Sequence, residues 1–91
     1  MKDCAATEVE ELERLLSATV AKADRYLPRT LVERSQATFL RYMDAECLVA
    51  ASVHFPGSEY PLLVSDCEIG LLTNRIEQVR YDMADAISLR G

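Results

Sequence analysis

The sequence predicts an all-α fold, a three-helix antiparallel bundle. Three observations carry this. Apolar residues recur at gaps of three and four along three separate stretches, the signature of one buried helix face. The stretches are divided by breakers at Pro28 and at Phe55-Pro56-Gly57-Ser58-Glu59-Tyr60-Pro61. Only three Gly and three Pro occur in 91 residues, too few for the many turns of an all-β sandwich or barrel. The length holds one hydrophobic core, so residues 1–91 are expected to form a single domain, and an apolar content of 49% supports a packed interior rather than disorder.

The first helix is expected over about 7–27. Thr7 with Glu10 three residues later fits a capping box, and Val9, Leu12, Leu16, Val20, Ala23 and Leu27 form its apolar face. Pro28 ends it, because its ring disfavours helical backbone at the residue before it. The second helix is expected over about 30–52, with Val32, Phe39, Leu40, Met43, Cys47, Ala50 and Ala51 inward and Gln36 interrupting the face. The third is expected over about 59–88. Ser58 caps it, Pro61 sits in the first turn where amide hydrogens lack partners anyway, and Leu62, Ile69, Leu72, Ile76, Val79, Met83 and Ile87 form the stripe. Gly70 lies inside this helix at a cost of roughly 1 kcal/mol relative to Ala, which a close helix crossing would explain.

Net charge is −5, and its distribution is uneven. Residues 1–41 hold seven basic and seven acidic side chains, and residues 75–91 hold three of each. Residues 42–74 contain no Lys or Arg but contain Asp44, Glu46, Glu59, Asp66 and Glu68. The surplus charge therefore belongs to the hairpin of the second and third helices. Such an acidic tip steers toward a basic partner or is simply a solvated surface. Nucleic acid and anionic lipid both demand a cationic face, so neither is an expected partner. No apolar run approaches the ~20 residues that span a bilayer.

Cys47 and Cys67 lie ten residues to either side of Gly57, so a hairpin brings them level. They are either bonded or two buried thiols acting as small hydrophobes. Cys4 has no evident partner. His54 is the one histidine; Ser52, His54 and Asp66 have no nucleophile-elbow context, and the cysteines and His54 lack zinc-ligand spacing. No Gly-rich phosphate loop occurs. The expectation is a protein that is not an enzyme and has no cofactor or metal. A thiol-redox protein built on Cys47, Cys67 and His54 is a less favoured reading.

The run Ser35-Gln36-Ala37-Thr38-Phe39-Leu40-Arg41-Tyr42-Met43-Asp44-Ala45-Glu46-Cys47 resembles the signature of the LprI-like lysozyme-inhibitor family. Gly57-Ser58, the segment Cys67 to Leu72-Thr73 and Arg75, the opening Cys4 to Thr7 and Glu10, and Ala23-Asp24 with Leu27 resemble its other conserved pieces. The chain departs from the pattern at Phe39 (usually Trp), Met43 (usually Arg) and Pro28 (usually Asn), and a second N-terminal Cys is missing. The resemblance implies a small helical domain of the bacterial periplasm or of secreted proteins. It implies a Cys47–Cys67 disulfide, hence a stapled hairpin. Met1-Lys2-Asp3-Cys4 begins no secretory leader, so this localisation would mean a mature chain.

The functional expectation is a binding module that inhibits lysozyme or another cationic cell-wall hydrolase. Phe55, Ser58, Glu59 and Tyr60 would meet the partner, with Phe55 or Tyr60 as aromatic anchor, while Asp44, Glu46, Asp66 and Glu68 steer. The alternative is a structural module, a helical homodimer using Leu15, Tyr26, Leu31 and Tyr81.

Overall fold

A computed structural model describes residues 4–53 and 60–90. Three helices follow one another: α1 (Cys4–Ala23), α2 (Arg29–Ser52) and α3 (Tyr60–Arg90). No strand occurs among the described residues. The helices run up, down and up, so α1 is parallel to α3 and α2 is antiparallel to both. The expected three-helix bundle with a stapled hairpin is what forms.

The apolar periodicities become one core. Val9, Leu16 and Ala23 of α1, Met43 and Cys47 of α2, and Leu72, Ile76 and Val79 of α3 are buried together, with Leu72 fully enclosed. Leu12, Val20, Leu27, Phe39, Cys67, Ile69 and Met83 pack around them half-buried. Both α1 and α2 lie closely along α3 and approach each other far less. The result is a flattened rod of 52 × 24 × 17 Å. Its radius of gyration, 15.2 Å, exceeds the ~12 Å of a spherical domain of this length.

The helix ends depart from expectation for local reasons. α1 starts at Cys4, because Ala5 and Ala6 are strong helix formers that carry the helix back past Thr7. Thr7 thus stands inside the helix, not at its cap. α1 stops at Ala23 instead of Leu27. There the chain tightens: Arg25 N–H donates to Lys22 O at 3.2 Å and Tyr26 N–H to Ala23 O at 2.9 Å, three-residue bonds that close the last turn. Pro28, extended at φ −60° and ψ 114°, is the residue from which α2 departs. α3 runs to Arg90, two residues beyond expectation. Ser58, its expected cap, lies outside the described residues.

Several side chains also differ. A Cβ built on Gly70 meets nothing within 4 Å, so no close crossing requires this glycine. Leu40, Leu62 and Ile87, expected inward, are 40%, 46% and 44% exposed, and Ala50 is exposed as well. Thr19 is buried although polar, and its hydroxyl donates to Leu15 O at 2.7 Å within the same helix.

Candidate functional site

The hairpin is held at two levels. Near its closed end Cys47 and Cys67 form a disulfide across a Cα–Cα distance of 5.4 Å. Further down, Arg75 of α3 grips α2. Its Nε donates to Gln36 Oε1 at 3.1 Å, its Nη2 donates to Ser35 Oγ at 3.0 Å, and its guanidinium lies 5.5 Å from the centre of the Phe39 ring. Gln36 interrupts the apolar face of α2 because Arg75 needs an acceptor there. Burial pushes the Arg75 guanidinium below its usual value, with Asp82 opposing, yet an arginine keeps its charge. At the far end of α3, Arg90 repeats the device on the α1–α2 turn. Its Nη2 donates to Tyr26 O at 3.1 Å, and its guanidinium lies 5.9 Å from the Tyr26 ring centre. Tyr26 is therefore engaged within the fold.

The residues that carry the family resemblance thus meet in space. Gln36, Phe39, Cys47, Cys67 and Arg75 all lie along the seam between α2 and α3. Their arrangement fixes how the hairpin closes. None of it is a catalytic constellation, and no cluster of metal-ligating side chains occurs among the described residues. Cys4 is exposed and unbonded.

The acidic end is larger than the hairpin alone. Since α1 runs parallel to α3, its start lies beside the hairpin's closed end. Glu8, Glu10, Glu11 and Glu13 therefore share one end of the rod with Asp44, Glu46, Asp66 and Glu68. Glu68 lies among them. Its carboxyl is pushed above the ordinary 4.5, first by burial, then by Glu13 of α1, then by Asp44 of α2. Carboxylates from all three helices feel one another there. Asp44, Asp66, Glu8, Glu11 and Glu13 are exposed, whereas Glu46 and Glu68 are half-buried. Arg14 is the single basic residue among positions 4–14, 44–53 and 60–68. At the opposite end Lys22, Arg25, Arg29 and Arg90 gather around the α1–α2 turn. There they are interspersed with Asp24, Glu33 and Asp85, so that end is mixed in charge while the other is acidic.

The four α1 carboxylates were missing from the expected site, because charges summed over residues 1–41 cancel. Phe55, Ser58 and Glu59, and the side chain of Tyr60, lie outside the described residues, so the loop part of the expected site is carried by sequence alone.

The Glu68 shift has a sign that can be worked out. Native Glu68 binds its proton more tightly than the unfolded chain does, so ionising it opposes folding above its native pKa. That penalty fades as pH falls toward 4.5. Glu68→Gln is expected to raise stability at pH 7 by roughly 0.5 kcal/mol, the scale of solvent-screened charge interactions. The gain over wild type should vanish well below pH 4.5, which thermal melts at stepped pH would show.

No described helix is long and apolar enough to cross a membrane. Neither the curated proteins nor the solved structures hold a match to this chain. The family model described as lysozyme inhibitor LprI matches residues 1–79, which include α1, α2, the disulfide and Arg75. With that span covering most of the sequence, and with its signature residues assembled along one helix seam, the chain belongs to the LprI family of lysozyme inhibitors.

Proposed function

We propose that this protein is a secreted or periplasmic inhibitor that presents its acidic end to the cationic surface of lysozyme or a similar cell-wall hydrolase. The observation that carries the reading is the convergence of carboxylates from α1, α2 and α3 at one end of a narrow rod. Complementary charge accelerates encounter and orients it. Glu13, Asp44 and Asp66 steer the approach. Phe55 and Tyr60, the latter at the start of α3, serve as anchors, Glu59 makes the direct carboxylate contact, and Ser58 borders them. Leu62, exposed in the first turn of α3, adds apolar surface beside the loop. The mechanism is occlusion, with no bond made or broken. The disulfide supports an oxidising compartment, since it holds the hairpin in its docking shape before contact and lowers the entropic cost of binding.

The test is a lysozyme lysis assay on bacterial cell walls, titrated with the protein at low and moderate ionic strength. Inhibition at micromolar protein, weakening as salt rises, is the expected result. Absence of inhibition at tens of micromolar, or inhibition indifferent to salt, would refute the proposal.

A further inference from the structure

The outer face of α2 carries an uncharged stripe that stays exposed, although Arg75 of α3 reaches Ser35 at its edge. Leu31, Ser35, Thr38, Tyr42, Ala45 and Val49 follow one another at alternating gaps of four and three, the spacing of a helix-pairing seam, and all six are exposed. The large members are open to solvent: Leu31 is 58% exposed, Tyr42 54% and Val49 64%. A groove of about 410 Å³ continues the stripe at the start of α2, between α2 and the overhanging end of α3. Leu27, Pro28, Leu31, Ala86 and Leu89 form its apolar part.

We infer that this face binds a second copy of the same chain, with the two α2 helices antiparallel about a two-fold axis near Leu40. The stripe is self-complementary in that arrangement. When residue numbers across the pair total about 80, Leu31 meets Val49, Ser35 meets Ala45 and Thr38 meets Tyr42, each of them twice by symmetry. Val53, 80% exposed in the turn that ends α2, then falls level with Leu27. It lies on the α3 side of the seam, where the groove is. The most exposed apolar side chain of α2's end thus enters the apolar groove of the other copy.

Charge selects the same orientation. The first half of α2 bears Arg29 and Arg34 against Glu33, a surplus of one positive charge, and the second half bears Asp44 and Glu46 against Arg41, a surplus of one negative charge. Antiparallel pairing sets the cationic half of each α2 against the anionic half of the other. Parallel pairing would stack the acidic ends. The α2 strip alone is ~36 Å long and one helix wide, short of the ~800 Å² per partner of a standard interface. Filling the two grooves with Val53 adds contact beyond the strip. The inference does not depend on the inhibitor reading, because it is argued from the α2 face and the groove alone.

Sedimentation equilibrium on the full chain, with Cys4→Ser to prevent adventitious cross-links, tests it. A mass near twice 10.2 kDa at tens of micromolar is expected, and Tyr42→Glu should weaken association at least tenfold while circular dichroism stays helical. Orientation is read by oxidative cross-linking. A mixture of Leu31→Cys and Val49→Cys chains should give the mixed disulfide dimer in preference to either self-dimer. A chain that stays monomeric at several hundred micromolar overturns the inference. So do self-dimers of Leu31→Cys, or a monomer whose Tyr42→Glu variant loses only lysozyme binding.

Discussion

Reducing the Cys47–Cys67 bond should lower the stability of this protein by roughly 3 kcal/mol, the chain-entropy value for a loop of this length. The sequence separation is 20 residues, and the closed loop is the hairpin turn itself. For so small a domain this is a large share of a total of about 5–15 kcal/mol. A destabilisation of that size should shift the melting temperature by roughly 12–24 °C. The double variant Cys47→Ala/Cys67→Ala should lose at least as much, since it also empties space beside Met43 and Leu72 in the core. Calorimetry with and without reductant measures the first, and denaturant titration the second. A shift below 3 °C on full reduction would mean that the Arg75 grip and the apolar seam already close the hairpin unaided.

Removing charge from the acidic end should reduce affinity for lysozyme by about 10- to 100-fold at low ionic strength, chiefly through a slower association rate. The informative variant is Glu13→Gln/Asp44→Asn/Asp66→Asn, which takes one exposed carboxylate from each helix. These side chains lie on the surface, so the fold should be unaffected. Wild type and variant should converge as salt rises above physiological strength, because exposed charges are screened beyond a Debye length of about 8 Å. Asp85→Asn, toward the opposite end of the rod, is the matching control and should leave the rate unchanged. Stopped-flow or surface-plasmon kinetics at two salt concentrations settle it. Equal association rates for the triple variant and wild type would remove the acidic end from the mechanism.

Much of the fold was legible in the residues. Val9, Leu16, Met43, Leu72, Ile76 and Val79 were placed inward by spacing alone, because helical periodicity maps directly onto a buried face. Cys47 and Cys67 were level by counting from Gly57, and the resemblance decided that they bond. The ends of α1 were not legible. They depend on two preceding alanines and on backbone bonds at Lys22 and Ala23, which no side-chain pattern announces. Gln36 read as a flaw in an apolar face until Arg75, 39 positions away, supplied its partner. The extent of the acidic end was hidden for a geometric reason. A charge sum along the chain lets the basic residues up to Arg41 cancel the α1 acids, whereas the fold sets Glu8, Glu10, Glu11 and Glu13 in the first half of α1 and Lys22 at its other end. In an up-down-up bundle the first helix always begins beside the second hairpin, so that grouping follows from topology once the helix count is known.

The narrowness of the rod sets how such a molecule can block an enzyme. Its cross-section, 24 × 17 Å, offers a footprint of roughly 400 Å² when approached end-on, about half of what one partner contributes to a stable complex. Flat contact by the tip would therefore give a weak, rapidly dissociating plug. Sinking the end by about 5 Å, one turn of helix, lets its flanks double the buried surface. A stable inhibitor of this shape has to be received by a cleft at least that deep.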